Sequence, residues 1–237
     1  MSRPVPGFRS RLTAGGLAGV LGVAVPLGGL VIRPIWTFPS TTASGASVTS
    51  FVSAHTAPLQ VMMITYTAGV TLWLVFGAAV WARMRAALPG DSILTTCFAA
   101  GLTSFVTLLL AGFTAFDILV YRQPDPTEAR LLYDLTFGLL AISGMPTAVA
   151  LTAYAAATYR HHAFAPATGA IAAATALAHV LLLLSFIIGR GFFSLQGAVI
   201  AVIPALLFFW IAQTSTTLTA QTRPATAQAH NSPGMPR

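Results

Sequence analysis

The amino-acid sequence predicts an all-α, polytopic membrane protein with six transmembrane helices. Of its 237 residues, 56% are apolar and 7% are charged. An average soluble domain has about 25% charged residues, so this composition argues against a water-soluble fold. Six nearly charge-free stretches recur along the chain, each long enough for the roughly 20 helical residues that cross a hydrocarbon core about 30 Å thick. Their continuous apolarity favours helices over barrel strands.

The spans follow from the positions of these stretches. They are expected at about 12–32, 57–81, 92–116, 131–158, 163–188 and 192–213. Residues 1–220 are expected to form a single transmembrane domain, and 221–237 a disordered cytoplasmic tail, because that segment is rich in Pro, Ala and Gln. A cleaved signal peptide, with a small-residue site at 44–46, is an alternative for the first span. Its apolar stretch exceeds the usual core of about 7 to 15 residues, which favours a retained helix.

Arginine placement sets the expected orientation. Cytoplasmic flanks of membrane proteins collect positive charge, and this chain has no lysine. With the N-terminus inside, eight arginines lie on the cytoplasmic side and four outside, at Arg33, Arg122, Arg130 and Arg190. Four of the five acidic residues fall outside, so the inner side carries the net charge of +7. We expect a plasma-membrane protein of bacterial style with both termini cytoplasmic. The basic excess indicates topology and not nucleic-acid binding, since no soluble module presents it.

Two outer loops are expected. The longer, 33–56, is rich in Ser and Thr and contains aromatic residues suited to the headgroup layer. It is either a mobile connector or a lid over the outer end of the bundle. The second, 117–130, contains the turn sequence Pro124-Asp125-Pro126, after which Thr127 is expected to cap the fourth helix.

Small residues predict which helix faces pack closely, because they let backbones approach in a membrane. One such stripe in the first span is Gly15, Gly19, Gly22, Pro26 and Gly29. Another in the fifth span is Ala165, Gly169, Ala172 and Ala176, and the same face continues to His179. These stripes are expected to be structural.

Polar side chains also recur at helical spacing, in steps of four and seven with one final step of three. The stripes are Gln60, Thr67 and Thr71; Thr96, Thr103, Thr107, Thr114 and Asp117; Thr136, Ser143, Thr147 and Tyr154; and Thr168, Thr175 and His179. We expect these faces to point inward. In one interpretation their hydroxyls only join helices together, and in the other they surround a polar cavity that opens outward.

His179 is the strongest single candidate for a functional residue. It lies about nine residues, or roughly 13 Å, below the outer end of its helix, on the small-residue face. A neutral imidazole bonded to a neighbouring helix is one interpretation, and ligand binding or proton transfer is the other. The full set of candidate pocket residues is His179, Asp117, Asp134, Thr107, Ser143, Thr147 and Thr175.

Several chemistries find no support in the sequence. No His-x-x-x-His pair or nucleotide-binding glycine loop is present, and Cys97 is the only cysteine. We therefore expect no metal site and no cofactor. Ser143-Gly144 and His179 on neighbouring spans partly resemble the serine and histidine of rhomboid intramembrane proteases, which would imply a catalytic dyad. The chain departs from that pattern: position 141 is Ala, the two spans are consecutive, and no oxyanion-side His or Asn precedes them.

The leading hypothesis is therefore a non-enzymatic membrane protein. It would bind a small or lipidic ligand, or a membrane partner such as a second copy, through an outward-facing polar pocket between helices 2 and 5. A small transporter or proton-coupled carrier using Asp117, Asp134 and His179 is the alternative. An intramembrane hydrolase is third.

Overall fold

The computed structural model describes residues 6–40, 42–194 and 198–220. All regular structure in these ranges is helical. The α-helices are α1 (Pro6–Ile32), α2 (Gly45–Ala54), α3 (Thr56–Ala87), α4 (Ile93–Arg122), α5 (Pro126–Ile142), α6 (Gly144–His161), α7 (Pro166–Leu182), α8 (Ser185–Ile188) and α9 (Ala198–Ala220), with 3₁₀ turns at Ile35–Thr37 and Gly191–Phe193. The tail expected at 221–237 lies outside the described residues.

Within the described ranges, six helical segments are long and apolar enough to cross a membrane. They are Ser10–Thr37, Thr56–Ala87, Ile93–Arg122, Pro126–His161, Pro166–Ile188 and Val202–Ala220. The chain is thus a multi-pass membrane protein. Below, the long-loop end of the bundle means the end with residues 33–56, 123–125 and 189–194, and the short-loop end the one with 88–92 and 162–165.

The sixth span begins later than its apolar sequence suggested. Residues 192 and 193, the expected start, belong to a 3₁₀ turn, and the spanning segment runs over Val202–Ala220. Gly189 and Gly191 have φ values of 61° and 60°, a left-handed conformation that glycine adopts at low cost and that ends helices. Apolarity alone could not reveal this turn, because Phe192 and Phe193 are as hydrophobic as residues within a transmembrane helix.

The fourth span is one apolar segment divided into α5 and α6 at Ser143. Pro146 causes the break, because it has no N–H for the carbonyl four residues earlier and its ring crowds that turn. Ser143 itself keeps helical dihedrals of φ −61° and ψ −15°. Its backbone N–H and its Oγ both donate to carbonyls of the last turn of α5. The break therefore places the Ser143 side chain in mid-span.

The 33–56 loop folds over the long-loop end. Phe38 inserts between aromatic rings, with centroids 5.2 Å from Phe51 and 5.7 Å from Phe116. Tyr133 of α5 donates from its hydroxyl to the carbonyl of Pro39 at 2.6 Å. Arg130 donates to the carbonyl of Ala43. These contacts fasten the loop to α5 and support its interpretation as a cover over the bundle.

The N-cap of α5 lies two residues earlier than expected. The Asp125 carboxylate accepts from the backbone N–H groups of Thr127 and Glu128, at 2.8 and 3.2 Å, so Asp125 rather than Thr127 is the N-cap. Pro126 occupies the first helical position, where its missing N–H removes no helical bond. An ionised side chain is the stronger acceptor here, and it also complements the helix dipole.

The glycine stripe of α1 packs against α3. A Cβ at Gly15 would overlap Ala79, and one at Gly22 would meet the Trp73 ring at 2.6 Å. Pro26 in the same stripe leaves the Gly22 carbonyl without its helical donor. Trp73 replaces that donor, since its Nε1 hydrogen bonds to the Gly22 oxygen at 2.9 Å. The buried Trp73 indole thus packs against Gly22 and replaces the hydrogen bond that Pro26 removes.

The small-residue face of α7 packs against α6. A Cβ at Gly169 would meet the Thr158 methyl at 2.8 Å. At the other end of the contact, a Cβ at Gly144 would overlap the carbonyl oxygen of His179. The first turn of α6 therefore lies directly against the turn of α7 that carries His179.

Candidate functional site: a central cavity

A cavity of about 170 Å³ lies inside the bundle. Its wall comes from α1, α3, α4, the end of α5, α7, α9 and the 3₁₀ turn after α1. The lining is chiefly apolar: aromatic rings come from Tyr66, Trp73, Phe105, Phe113 and Phe208, and aliphatic groups include Pro26, Leu27, Leu30, Ile35, Leu109, Leu140, Leu182 and Pro204. Cavities of about 150 Å³ with apolar walls hold benzene-sized molecules, so this space is large enough for a compact ring or a length of alkyl chain.

His179 supplies one polar group to the lining. Its side chain is only 3% exposed. Nδ1 lies 2.8 Å from the Thr175 carbonyl oxygen of the same helix. A carbonyl oxygen only accepts, so Nδ1 carries the hydrogen, and in a neutral imidazole Nε2 is then an acceptor. Within the described part of the chain Nε2 has no hydrogen-bond partner.

Ser143 supplies a second polar group. It is 2% exposed and lines the same cavity. Its Oγ donates to the Leu140 carbonyl at 2.7 Å, so its hydrogen is engaged and its lone pairs remain. The hydroxyl is not hydrogen bonded to His179, and the geometry of an activated serine nucleophile is absent between these two residues. The cavity thus presents two acceptors from neighbouring helices.

The remaining candidates lie elsewhere. Thr107 and Asp117 are exposed on the outer face of α4, opposite to the inward direction expected for that polar stripe. Asp134 forms a 2.7 Å ion pair with Arg130, one turn away on α5. Its partner Arg130 also donates to the loop carbonyl of Ala43, so this ion pair belongs to the long-loop end. Neither aspartate lines the cavity.

Thr147 and Thr175 are buried but do not line the cavity. Thr147 donates to the Ser143 carbonyl at 2.8 Å, and Thr175 to the Ile171 carbonyl at 2.7 Å. Both hydroxyls are thereby satisfied by their own helices. Of the seven candidates, only Ser143 and His179 meet at the cavity.

Sequence reasoning missed most of the cavity wall. Trp73, Phe105 and Phe208 form an aromatic group, with the Trp73 ring 5.7 Å from Phe105 and 5.6 Å from Phe208. Pro26 and Pro204 line the cavity from α1 and α9, although the sequence indicated only a structural role for Pro26 in the stripe of the first span. A signal was available, since the two prolines interrupt the first and last spans, but nothing in the sequence placed those helices side by side.

Comparison with protein families, with characterised proteins and with solved structures gives no match to this chain. Function must therefore be argued from the cavity and its lining.

Proposed function

We propose that this protein binds a small, mostly apolar ligand in the central cavity, without acting on it chemically. One observation carries the proposal: an apolar cavity inside a membrane bundle reaches a buried imidazole nitrogen without a partner. Ligand sites are typically apolar spaces with a few placed polar groups. Ionisable side chains at membrane depth are costly and tend to mark functional positions.

A second argument is that the protein gains little from leaving this space empty. Interiors are close-packed, and an empty volume forfeits contacts around its whole wall. Several large aromatic side chains surround the cavity without filling it. A bound apolar molecule would restore those contacts, which is the expected driving force in a bilayer, where helix packing has no hydrophobic contribution.

We further propose the orientation in which the short-loop end and both termini face the cytoplasm, in the plasma membrane of a bacterial cell. The excess of arginine at that end supports it. Reporter fusions within residues 88–92 and 162–165 test the orientation. Activity of a periplasmic reporter at these positions would contradict it.

Photolabelling tests ligand binding directly. A diazirine-bearing alkane is expected to label peptides that contain Trp73 or Phe208, to saturate, and to be displaced by a membrane lipid extract. Leu182→Phe fills part of the cavity and is expected to reduce this labelling. Leu177→Phe is the matched control, because Leu177 is 64% exposed on the same helix whereas Leu182 is 3% exposed. Labelling that never saturates, or that falls equally on exposed residues such as Ile64, would refute the proposal.

We propose a second copy of the chain as a partner, because the exposed face of α4 is unusually polar and small for a surface turned to lipid. Its exposed residues include Thr96, Ala100, Thr103, Ser104, Thr107, Ala111 and Thr114. Such residues normally lie between helices. Asp117 is ten residues, or about 15 Å, from Thr107, so two parallel α4 helices crossing at Thr107 need not bring two carboxylates together.

Disulfide trapping tests the second copy. In a Cys97→Ala background, Thr107→Cys is expected to form a covalent dimer on oxidation in the membrane. Leu74→Cys, on the exposed face of α3, is the control and is expected to remain monomeric. Equal trapping at both positions, or none at Thr107, would contradict the dimer.

A further inference from the structure

Exposed residues of α1 and α9 line the cavity on one flank of the bundle. Near the short-loop end these helices touch closely: a Cβ at Gly16 would lie 2.6 Å from the Thr219 methyl and 2.9 Å from the Ser215 carbonyl oxygen. Toward the long-loop end the cavity lies between them. Leu27 of α1 and Ala205 of α9 both line the cavity and are both exposed.

Each of these two helices has an internal proline at the level of the cavity. Pro26 and Pro204 lie inside α1 and α9 and line the cavity beside Leu27 and Ala205. An internal proline bends a helix, because its ring displaces the preceding turn. Leu27 lies five residues, or about 8 Å, before the end of α1, within the first candidate span. Leu27 and Ala205 therefore both lie within candidate membrane spans.

The long-loop end is closed over the same cavity. Ile35 of the 3₁₀ turn lines it, and the following residues are fastened by the Phe38 ring contacts and the Tyr133 bond to Pro39. The covering segment thus contributes Ile35 to the cavity wall and is held in place by contacts outside it.

The polar groups in the cavity define what the ligand must carry. His179 offers Nε2 as an acceptor, because Nδ1 is held by the Thr175 carbonyl. Ser143 offers lone pairs, because its hydrogen goes to Leu140. The described cavity lining contains no Asp or Glu that would balance an imidazolium. A ligand that donates a hydrogen bond matches these two acceptors, and the Tyr66 hydroxyl in the same lining is a third polar group that can donate or accept.

Resting on the proposed function, we infer that the ligand is a membrane-soluble alcohol: an apolar body with one hydroxyl, which enters between α1 and α9 and donates its hydrogen bond to Nε2 of His179. The hydrocarbon part occupies the aromatic wall formed by Trp73, Phe105 and Phe208. A ligand without the hydroxyl leaves a buried acceptor unpaired. The resulting loss of binding free energy favours the alcohol.

A matched pair of competitors tests the ligand class. Cyclohexanol and methylcyclohexane differ by a hydroxyl in place of a methyl group, and each is titrated against the diazirine-bearing alkane, with concentrations corrected for partition into detergent. Cyclohexanol is expected to compete at about 10-fold lower concentration, the upper end of what one net hydrogen bond supplies. In His179→Phe the two competitors are expected to become equal. His161→Phe, at an exposed position, is the control and keeps the difference.

The outcomes separate the two proposals. Equal competition in the unmodified protein, with saturable labelling intact, overturns the alcohol while ligand binding stands. Labelling that never saturates overturns both. The comparison in the unmodified protein decides the question even if His179→Phe does not fold.

Entry from the bilayer has its own measurement. With the alkane probe supplied in vesicles, Ala205→Trp is expected to slow labelling several-fold by obstructing entry between α1 and α9. Val202→Trp is the control, because Val202 is exposed on the same helix but does not line the cavity. Equal rates in the two variants would overturn the lateral route.

Discussion

The bond between Trp73 and the Gly22 carbonyl gives the sharpest quantitative prediction about the fold. Pro26 leaves that carbonyl without its helical donor, and Trp73 Nε1 supplies the replacement at 2.9 Å. Trp73 is 3% exposed, so the Gly22 carbonyl depends on a buried donor. Trp73→Phe keeps an aromatic ring but removes the donor.

The expected cost has two parts. Interhelical hydrogen bonds in membrane proteins contribute about 0.6 kcal/mol on average and up to about 1.7 kcal/mol. The smaller ring also loses contact with Phe105 and Phe208, and lost packing of part of a side chain adds roughly 1 kcal/mol. Trp73→Phe should therefore lower the free energy of unfolding by about 1.5 to 2.5 kcal/mol.

A double-mutant cycle isolates the hydrogen bond from the packing. Pro26→Ala restores an N–H that can bond to the Gly22 carbonyl within α1. In that background Trp73→Phe should reduce the free energy of unfolding only by the packing contribution. The interaction energy between the two substitutions is therefore expected to be about 1 kcal/mol. The assay is reversible unfolding in mixed detergent micelles, followed by circular dichroism.

Trp36→Phe serves as the control, since Trp36 is 66% exposed and a surface change of this kind usually stays within about 0.5 kcal/mol. If Trp73→Phe lowers the free energy of unfolding equally in the unmodified protein and in the Pro26→Ala background, the indole does not replace the bond that Pro26 removes. That result would refute the reasoning.

Three further predictions follow from other contacts. Gly144→Ala forces α6 away from the His179 carbonyl and should cost about 1–3 kcal/mol in unfolding experiments, with weaker photolabelling of the cavity; an unchanged protein would show that the contact is loose. Tyr133→Phe removes the bond to Pro39, so limited proteolysis should cut residues 33–44 faster, while unaltered cleavage would mean that other contacts hold the cover. Thr107→Val, on the exposed face of α4, should leave cavity labelling unchanged, and a loss would connect that face to the cavity.

The number and approximate position of the spans could be predicted from sequence because each depends on local composition. A run of apolar residues long enough to cross a bilayer has few alternatives. Boundaries set by backbone conformation were harder to predict. Gly191 starts a turn inside apolar sequence, and Asp125 rather than Thr127 caps α5. Both depend on individual dihedral angles or side-chain bonds, which composition does not encode.

The candidate site could be predicted only in part, since periodicity identifies a helix face but not its direction. His179 and Ser143 were identified because each shares a face with small or polar residues. The aromatic wall was missed because Trp73 and Phe208 are as compatible with lipid as with a cavity. Their place depends on which helices are neighbours, and α1 and α9, at opposite ends of the chain, become neighbours only in the folded bundle.

The outward face of α4 shows why hydroxyl-bearing residues are poor guides to the interior of a membrane protein. Thr114 donates to the Leu110 carbonyl at 2.8 Å and Thr71 to the Thr67 carbonyl at 2.8 Å, and both residues are exposed. A threonine that bonds to its own helix has no unmet donor, so the chain does not need to bury it inside its own bundle. An imidazole is different, because its own helix can engage Nδ1 and still leave Nε2 without a partner. Among the polar residues within these spans, those that their own helix cannot fully satisfy carry the stronger functional signal. His179 is such a residue, and it is buried at the wall of the cavity.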